Sequence, residues 1–163
     1  MLVSFTIKSP PFSLNSAYYK NRQLTKEARL WRSEFLLQLM QDEVQAKIQQ
    51  FRKLFQPSEN AVRVTYDFLY PRKLLFTKKG EISRRSMDLT NIEKLVQDNL
   101  FESRYNGREI DGVVIQNFDI DDKFIVDLRS RKLPHDKDHH LLHVSVELLL
   151  SSQLHSVESI ETS

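Results

Sequence analysis

Between Pro57 and Pro71 the chain alternates with a period of two. Val62, Val64, Tyr66, Phe68 and Tyr70 fall on one side, and Arg63, Thr65 and Asp67 on the other. β-Branched and aromatic residues at that period demand a strand with one buried face, and such a strand is stable only beside others. Pro71 delimits it, because proline has no N–H to give a ladder. The fold must therefore contain a sheet with one face covered. Residues 2–8 repeat the pattern, with Val3, Phe5 and Ile7 against Ser4, Thr6 and Lys8, and stop at Ser9-Pro10-Pro11. Residues 124–131 and 143–150 read as two further strands, and residues 113–115 as a short one.

Elsewhere the period changes to three and four. Leu36, Met40, Val44, Ile48, Phe51 and Phe55 predict one long helix, entered through Thr25 as N-cap with Glu27 in its first turn, and stopped by Pro57. A second helix fits residues 90–101, with Leu89, Ile92, Val96 and Leu100 on its buried side and Asn91, Lys94 and Asp98 sharing its polar side. Residues 12–24 read as an irregular loop, and Asn106-Gly107 as a turn. This order predicts an α+β fold: a single domain over 1–150, with a mixed β-sheet and two main helices, followed by a polar, frayed tail over 151–163. The length is sufficient for a core, and the absence of cysteine excludes disulfides and thiolate metal sites. No run approaches ~18 apolar residues, and the N-terminus lacks the apolar core of a signal peptide. The expectation is a soluble, cytoplasmic protein with no membrane partner.

Acids and bases are distributed in a way that suggests phosphodiester chemistry. Asp88 stands just before the second helix, and Asp121-Asp122 lie on or beside a strand. Separated carboxylates that converge can hold a hard cation, and Lys94 between them can stabilise charge on a phosphate. A purely structural account exists for each. Asp88 and Thr90 are common capping residues, Asp121-Asp122 fit a surface loop, and Lys94 can pair with Asp98 at i,i+4. Net charge is only +2, yet Arg72, Lys73, Lys78, Lys79, Arg84 and Arg85 are opposed nearby only by Glu81. That run either tracks a phosphate backbone or forms a solvated loop. His135, His139, His140 and His143 raise the question of zinc, which the reading of this segment as one leading into a strand disfavours.

Two blocks carry a family resemblance. The first is Ser9-Pro10-Pro11-Phe12-Ser13-Leu14-Asn15-Ser16-Ala17-Tyr18-Tyr19, with the basic-helical segment to Phe35 after it. The second is Asp88-x-x-Asn91-x-x-Lys94-x-x-x-Asp98-x-Leu100, followed by Asp121-Asp122. In this order, over about residues 3–148, the chain resembles the RusA family of Holliday junction resolvases, typical of phages and prophages. The resemblance implies a homodimeric α+β nuclease that uses Mg²⁺ or Mn²⁺ to nick four-way DNA junctions symmetrically, in a bacterial or phage-infected cell. It implies catalytic roles for Asp88, Lys94 and Asp122, and metal ligation by Asp88, Asp121 and Asp122. Thr90, Asn91 and Asp98 would support the motif, and Lys78, Lys79, Arg84, Arg85, Tyr18 and Tyr19 would meet DNA. The family pattern has a second aspartate where this chain has Thr90, so one hard anionic oxygen is missing. The segment from the helix to the acid pair is also longer than the family's short turn, which makes Asp111 and Asp119 alternative ligands. Two rivals follow: a junction-binding protein that has lost cleavage through Thr90, and a structural protein whose acids are caps and surface charge.

Overall fold

The computed structural model describes residues 1–21 and 23–154. In chain order its elements are β1 (Leu2–Lys8), α1 (Lys26–Leu39), α2 (Asp42–Leu54), β2 (Asn60–Pro71), a one-turn α3 (Arg72–Leu75), α4 (Leu89–Phe101), β3 (Arg108–Ile110), β4 (Val113–Ile115), β5 (Ile125–His135), β6 (Leu141–Leu150) and a one-turn α5 (Ser151–Leu154). The main sheet runs β1-β6-β2-β5. β2 pairs in parallel with β5 and antiparallel with β6, so the sheet is mixed and the fold is α+β.

β2 is central, and its alternation has the predicted cause. Val62, Val64, Tyr66, Phe68 and Tyr70 are buried. The opposite face carries cross-strand ion pairs, with Arg63 2.7 Å from Asp127 and 2.9 Å from Glu147, and Arg131 2.8 Å from Asp67. Half-solvated pairs of this kind add little stability but keep the open face soluble and the register fixed. The apolar face packs with the helices into one core that includes Phe5, Trp31, Phe35, Phe51, Phe101 and Phe118.

The single long helix expected over 25–55 is two helices, so the described residues form three long helices rather than two. Thr25 does cap α1, its hydroxyl accepting from Ala28 N at 3.1 Å. The break falls at Gln41, whose backbone is extended (ψ 132°). The reason lies in the buried faces. α1 buries Ala28, Trp31, Phe35 and Leu39, with Trp31 Nε1 donating to Pro10 O at 2.9 Å, whereas α2 buries Val44, Ile48 and Phe51. One straight rod cannot direct both stripes into the same core. Gln45 Nε2 takes up the freed Leu39 carbonyl at 2.8 Å, and Asp42 and Glu43 favour a new helix start.

β3 and β4 form a hairpin turning on Asp111 (φ 50°) and Gly112 (φ 79°). Two successive positive φ values are the type I′ turn that Asp-Gly favours. Residues 151–154, expected in the frayed tail, make a helical turn anchored by Ser151 N to Glu59 O at 2.8 Å. The rest of that tail, 155–163, lies outside the described residues. No helix among the described residues is long and apolar enough to cross a membrane.

Tyr66 and Tyr70 sit under the sheet with hydroxyls bonded to Gln97 Oε1 (2.6 Å) and to Ser86 O. Burial raises both phenols, Tyr66 well above the usual range and Tyr70 to about 12. An unfolded chain would lose these protons near pH ~10. The folded state therefore holds more protons between pH 10 and 12, and stability falls as pH rises through that window. Tyr70 alone contributes a loss on the order of 2 kcal/mol across that window. Phenolate absorbance followed against far-UV circular dichroism should show these two tyrosines ionising only together with alkaline unfolding.

Candidate functional site

α4 organises the site. Its last four carbonyls would be unpaired in an isolated helix, and a distant segment satisfies three of them. Asn117 Nδ2 donates to Asn99 O at 3.1 Å, Phe118 N to Leu100 O at 2.8 Å, and Ile120 N to Phe101 O at 3.0 Å, while Glu102 N takes Asp98 O at 3.0 Å. Asn117 is buried and uses its whole amide, since Nδ2 also reaches Glu102 O at 2.9 Å and Oδ1 accepts from Asp119 N at 2.9 Å. This docking places Asp119, Asp121 and Asp122 beside the C-terminal turns of α4. With Phe101, Glu102 and Arg104 they line an open cleft of about 490 Å³.

Lys94 and Asp98 face the same region. Lys94 Nζ lies 2.7 Å from Oδ1 of Asp98, which is buried. The approach is close but not along a hydrogen-bond direction, so Oδ1 has a compensating charge and no aligned donor. Contact with Asp98 comes first, and the fields of Asp122 and Glu102 add to it, raising the Lys94 pKa against its partial burial. Lys94 therefore stays a cation at neutral pH and cannot serve as a general base. Asp98 is raised, chiefly by burial, with Lys94 opposing and Glu102 adding. Asp122 is exposed and makes no ion pair among the described residues, so it remains open to a ligand. Asp121 is partly committed, its Oδ1 accepting from Lys123 N at 2.9 Å. Asp119 lies 3.7 Å from Arg52, and Asp111 sits at the β3–β4 tip outside the cleft lining.

At the other end of α4, Asp88 holds the N-cap position by its backbone, but its side chain makes no capping bond. The structural account of Asp88 as a side-chain cap therefore fails, and its carboxylate is exposed and uncommitted among the described residues. Its placement depends on residues that show no sequence signal. Met87 adopts φ 67°, a strained value for a non-glycine residue, and Lys132 Nζ clamps the turn by donating to Ser86 Oγ and Met87 O, each at 2.9 Å. Tyr70 adds its bond to Ser86 O. Thr90 is exposed and Asn91 half-buried in the first turn of α4.

Among the described residues no group of three His, Cys, Asp or Glu gathers closely enough to hold a metal ion. The helix explains much of this. Asp88 and Lys94 are about 9 Å apart along the axis at 1.5 Å per residue, and Asp98 lies about 6 Å further on. The donors available are hard oxygens suited to Mg²⁺ or Mn²⁺, which keep several waters and need only one or two carboxylates. Asp88, Asp121 and Asp122 fit that chemistry as donors without forming a closed cage. The histidines likewise form no group of three among the described residues. The β5–β6 turn brings the His135 and His139 rings to 6.3 Å and sets His140 edge-on to Tyr70, while His143 Nδ1 is 2.7 Å from the Thr6 hydroxyl.

The basic residues precede α4 in the chain, and Tyr18 lies near its acids. Lys78 and Lys79 lie in a turn closed by the Phe76–Ile82 bridge, Arg84 and Arg85 in a helical turn, all four exposed and without an ion pair among the described residues. Tyr18 bridges Leu24; burial first, then the charges of Tyr105, Asp98 and Glu102 against Arg104, raise its phenol. Tyr18 is thus beside the acid cluster, and Tyr19 is exposed. No family model matches the chain, and no curated protein matches it.

Proposed function

We propose that this chain is a RusA-like, metal-dependent endodeoxyribonuclease that nicks four-way DNA junctions as a homodimer. The observation that carries the reading is Lys94 in contact with Asp98 and in the field of Asp122 and Glu102, which line an open acidic cleft, with Asp88 uncommitted at the start of the same helix. In this reading Asp88 and Asp122, helped by Asp121, would hold one or two divalent cations. The bound metal would supply Lewis-acid polarisation of the phosphate and a nucleophile at neutral pH. Lys94 offsets charge developing on the phosphate, and Asp98 fixes the ammonium in place. Lys78, Lys79, Arg84 and Arg85 hold the DNA backbone by charge, so binding weakens as salt rises. Two-fold symmetry would supply one site for each of the paired nicks.

One observation favours a second reading, a branched-DNA-binding protein with impaired cleavage. Three ligands do not gather among the described residues, and Thr90 stands where the family has an acid. A nicking assay on a synthetic four-way junction and on linear duplex, with Mg²⁺, Mn²⁺ or chelator, tests both. Symmetric, metal-dependent cuts confined to the junction are the expected result. Tight junction binding without cuts would move the assignment to the binding protein. In that event Thr90→Asp should restore cleavage at least tenfold, because it returns a charged ligand to the exposed first turn of α4. If the chain binds branched and linear DNA equally weakly at every salt concentration, both readings fail.

A further inference from the structure

The acidic cleft poses a problem for the reading above, on which this inference rests. Glu102, Asp119, Asp121 and Asp122 repel a phosphate backbone, and the basic loop leads into only the N-terminal end of α4. At the C-terminal end, three guanidinium groups from separate elements converge on the ring of Tyr105. Arg104 lies 4.8 Å from its centroid, Arg32 of α1 5.1 Å, and Arg108 of β3 5.5 Å. Glu102 pairs with Arg104, but Arg32 and Arg108 have no ion pair among the described residues. Burial, and the neighbouring charge of Arg108, lower the Arg32 pKa, with the phenols of Tyr105 and Tyr18 opposing. Of the three like charges crowded here, only that of Arg104 has a counter-anion among the described residues.

The ring and the guanidinium divide the work. A guanidinium over an aromatic face uses its π-surface, and the ring restricts its rotamers. On Arg108, which makes no ion pair among the described residues, the N–H edge then remains available, and that fork matches two phosphate oxygens, whereas Arg104 spends its Nε on Glu102. Tyr105 is itself only 7% exposed, so the platform is fixed. Beside it Tyr18 and Tyr19 are 38% and 52% exposed and offer faces on which an unpaired base can stack.

We infer that the Tyr105 arginine cluster is a phosphodiester seat for a nucleic acid strand leaving the acidic cleft, with Arg104 lining both. α4 spans 13 residues, or about 20 Å. The basic loop and the arginine seat would thus bracket about six nucleotides of one strand.

The test is fluorescence anisotropy of a labelled four-way junction and of a single-stranded oligonucleotide, in EDTA, over a series of salt concentrations. Arg32→Gln/Arg108→Gln should lose at least tenfold in affinity, and its log K against log salt slope should flatten by roughly two. Because Arg32 is half-buried, the exposed Arg108→Gln alone provides a variant with an undisturbed core, and it should lose three- to fivefold. Arg108→Lys should recover only part, since an ammonium keeps the charge without the fork. If the double variant matches the native chain while Lys78→Gln/Lys79→Gln weakens binding, the seat is refuted and the nuclease reading stands. If the native chain binds no DNA, the nuclease reading fails and the seat with it. If inorganic phosphate binds the native chain and not the double variant, while DNA affinity is the same for both, the cluster serves a free phosphate and the inference is overturned.

Discussion

Asn117→Ala is expected to lower stability by about 3 kcal/mol, because it removes three hydrogen bonds of one buried amide and leaves two backbone groups without that partner. Asn99 O loses its donor and Asp119 N its acceptor, while Glu102 O loses one donor and keeps Tyr105 N at 3.1 Å. Each buried polar group without a partner costs roughly 1–3 kcal/mol, and the site is closed to rescuing solvent, with Asn117 only 1% exposed. Urea denaturation should show the midpoint falling with an unchanged slope. Asn106→Ala is the graded comparison. It removes one acceptor, for Asn117 N, and should cost only about 1 kcal/mol. The same substitution at 117 bears on function, since the amide ties the end of α4 to the loop carrying Asp119, Asp121 and Asp122. An equal effect of the two variants would show that Asn117 is not what docks that loop.

The example also shows what the sequence displays and what it conceals. The strands around Tyr66 and Phe5 were legible because burial of one sheet face repeats every second residue and the prolines mark the ends. The polar side of α4 was legible for the same reason at helical period, which placed Lys94 on one face with Asp98. Asn117 has no period. Its role arises from a backbone meeting between residues 117–120 and a helix end about 20 positions earlier, which no local pattern records. Lys132 looked like any strand lysine, yet it clamps the Ser86-Met87 turn that presents Asp88. The hairpin turning on Asp111-Gly112 has no counterpart in the sequence reading, which marks the turn at Asn106-Gly107, and it accounts for the extra length between α4 and the acids. The break at Gln41 was concealed because the Leu36 to Phe55 stripe is continuous at helical spacing, while Trp31 and Phe35 define a different buried face. The arginines around Tyr105 are far apart in sequence, so only the fold brings them together.

Lys94→Gln should lower the nicking rate of the proposed nuclease by two to three orders of magnitude while leaving junction affinity within about threefold. The asymmetry follows from position. Lys94 is one cation among many for binding, but it is held against Asp98 within the field of Asp122 and Glu102, where charge would develop during phosphodiester cleavage. The raised lysine pKa adds a pH test with a definite sign. A group held protonated by neighbouring acids stays charged through neutral pH, so the rate should not fall on its account between pH 7 and 9. Lys94→Arg keeps the charge but moves its centre and should recover only part of the loss. Asp122→Asn should reduce cleavage at least as severely, and the two losses should not add if both act on the same phosphate. The structural alternative, a surface pair between Lys94 and Asp98, predicts something different. Lys94→Gln would then cost stability, because it strands a buried carboxylate, and cleavage per folded molecule would be unchanged. Rates normalised to the folded fraction separate the two outcomes. A variant that nicks at the native rate once so normalised would remove Lys94 from the chemistry, and with it the observation on which the nuclease assignment rests.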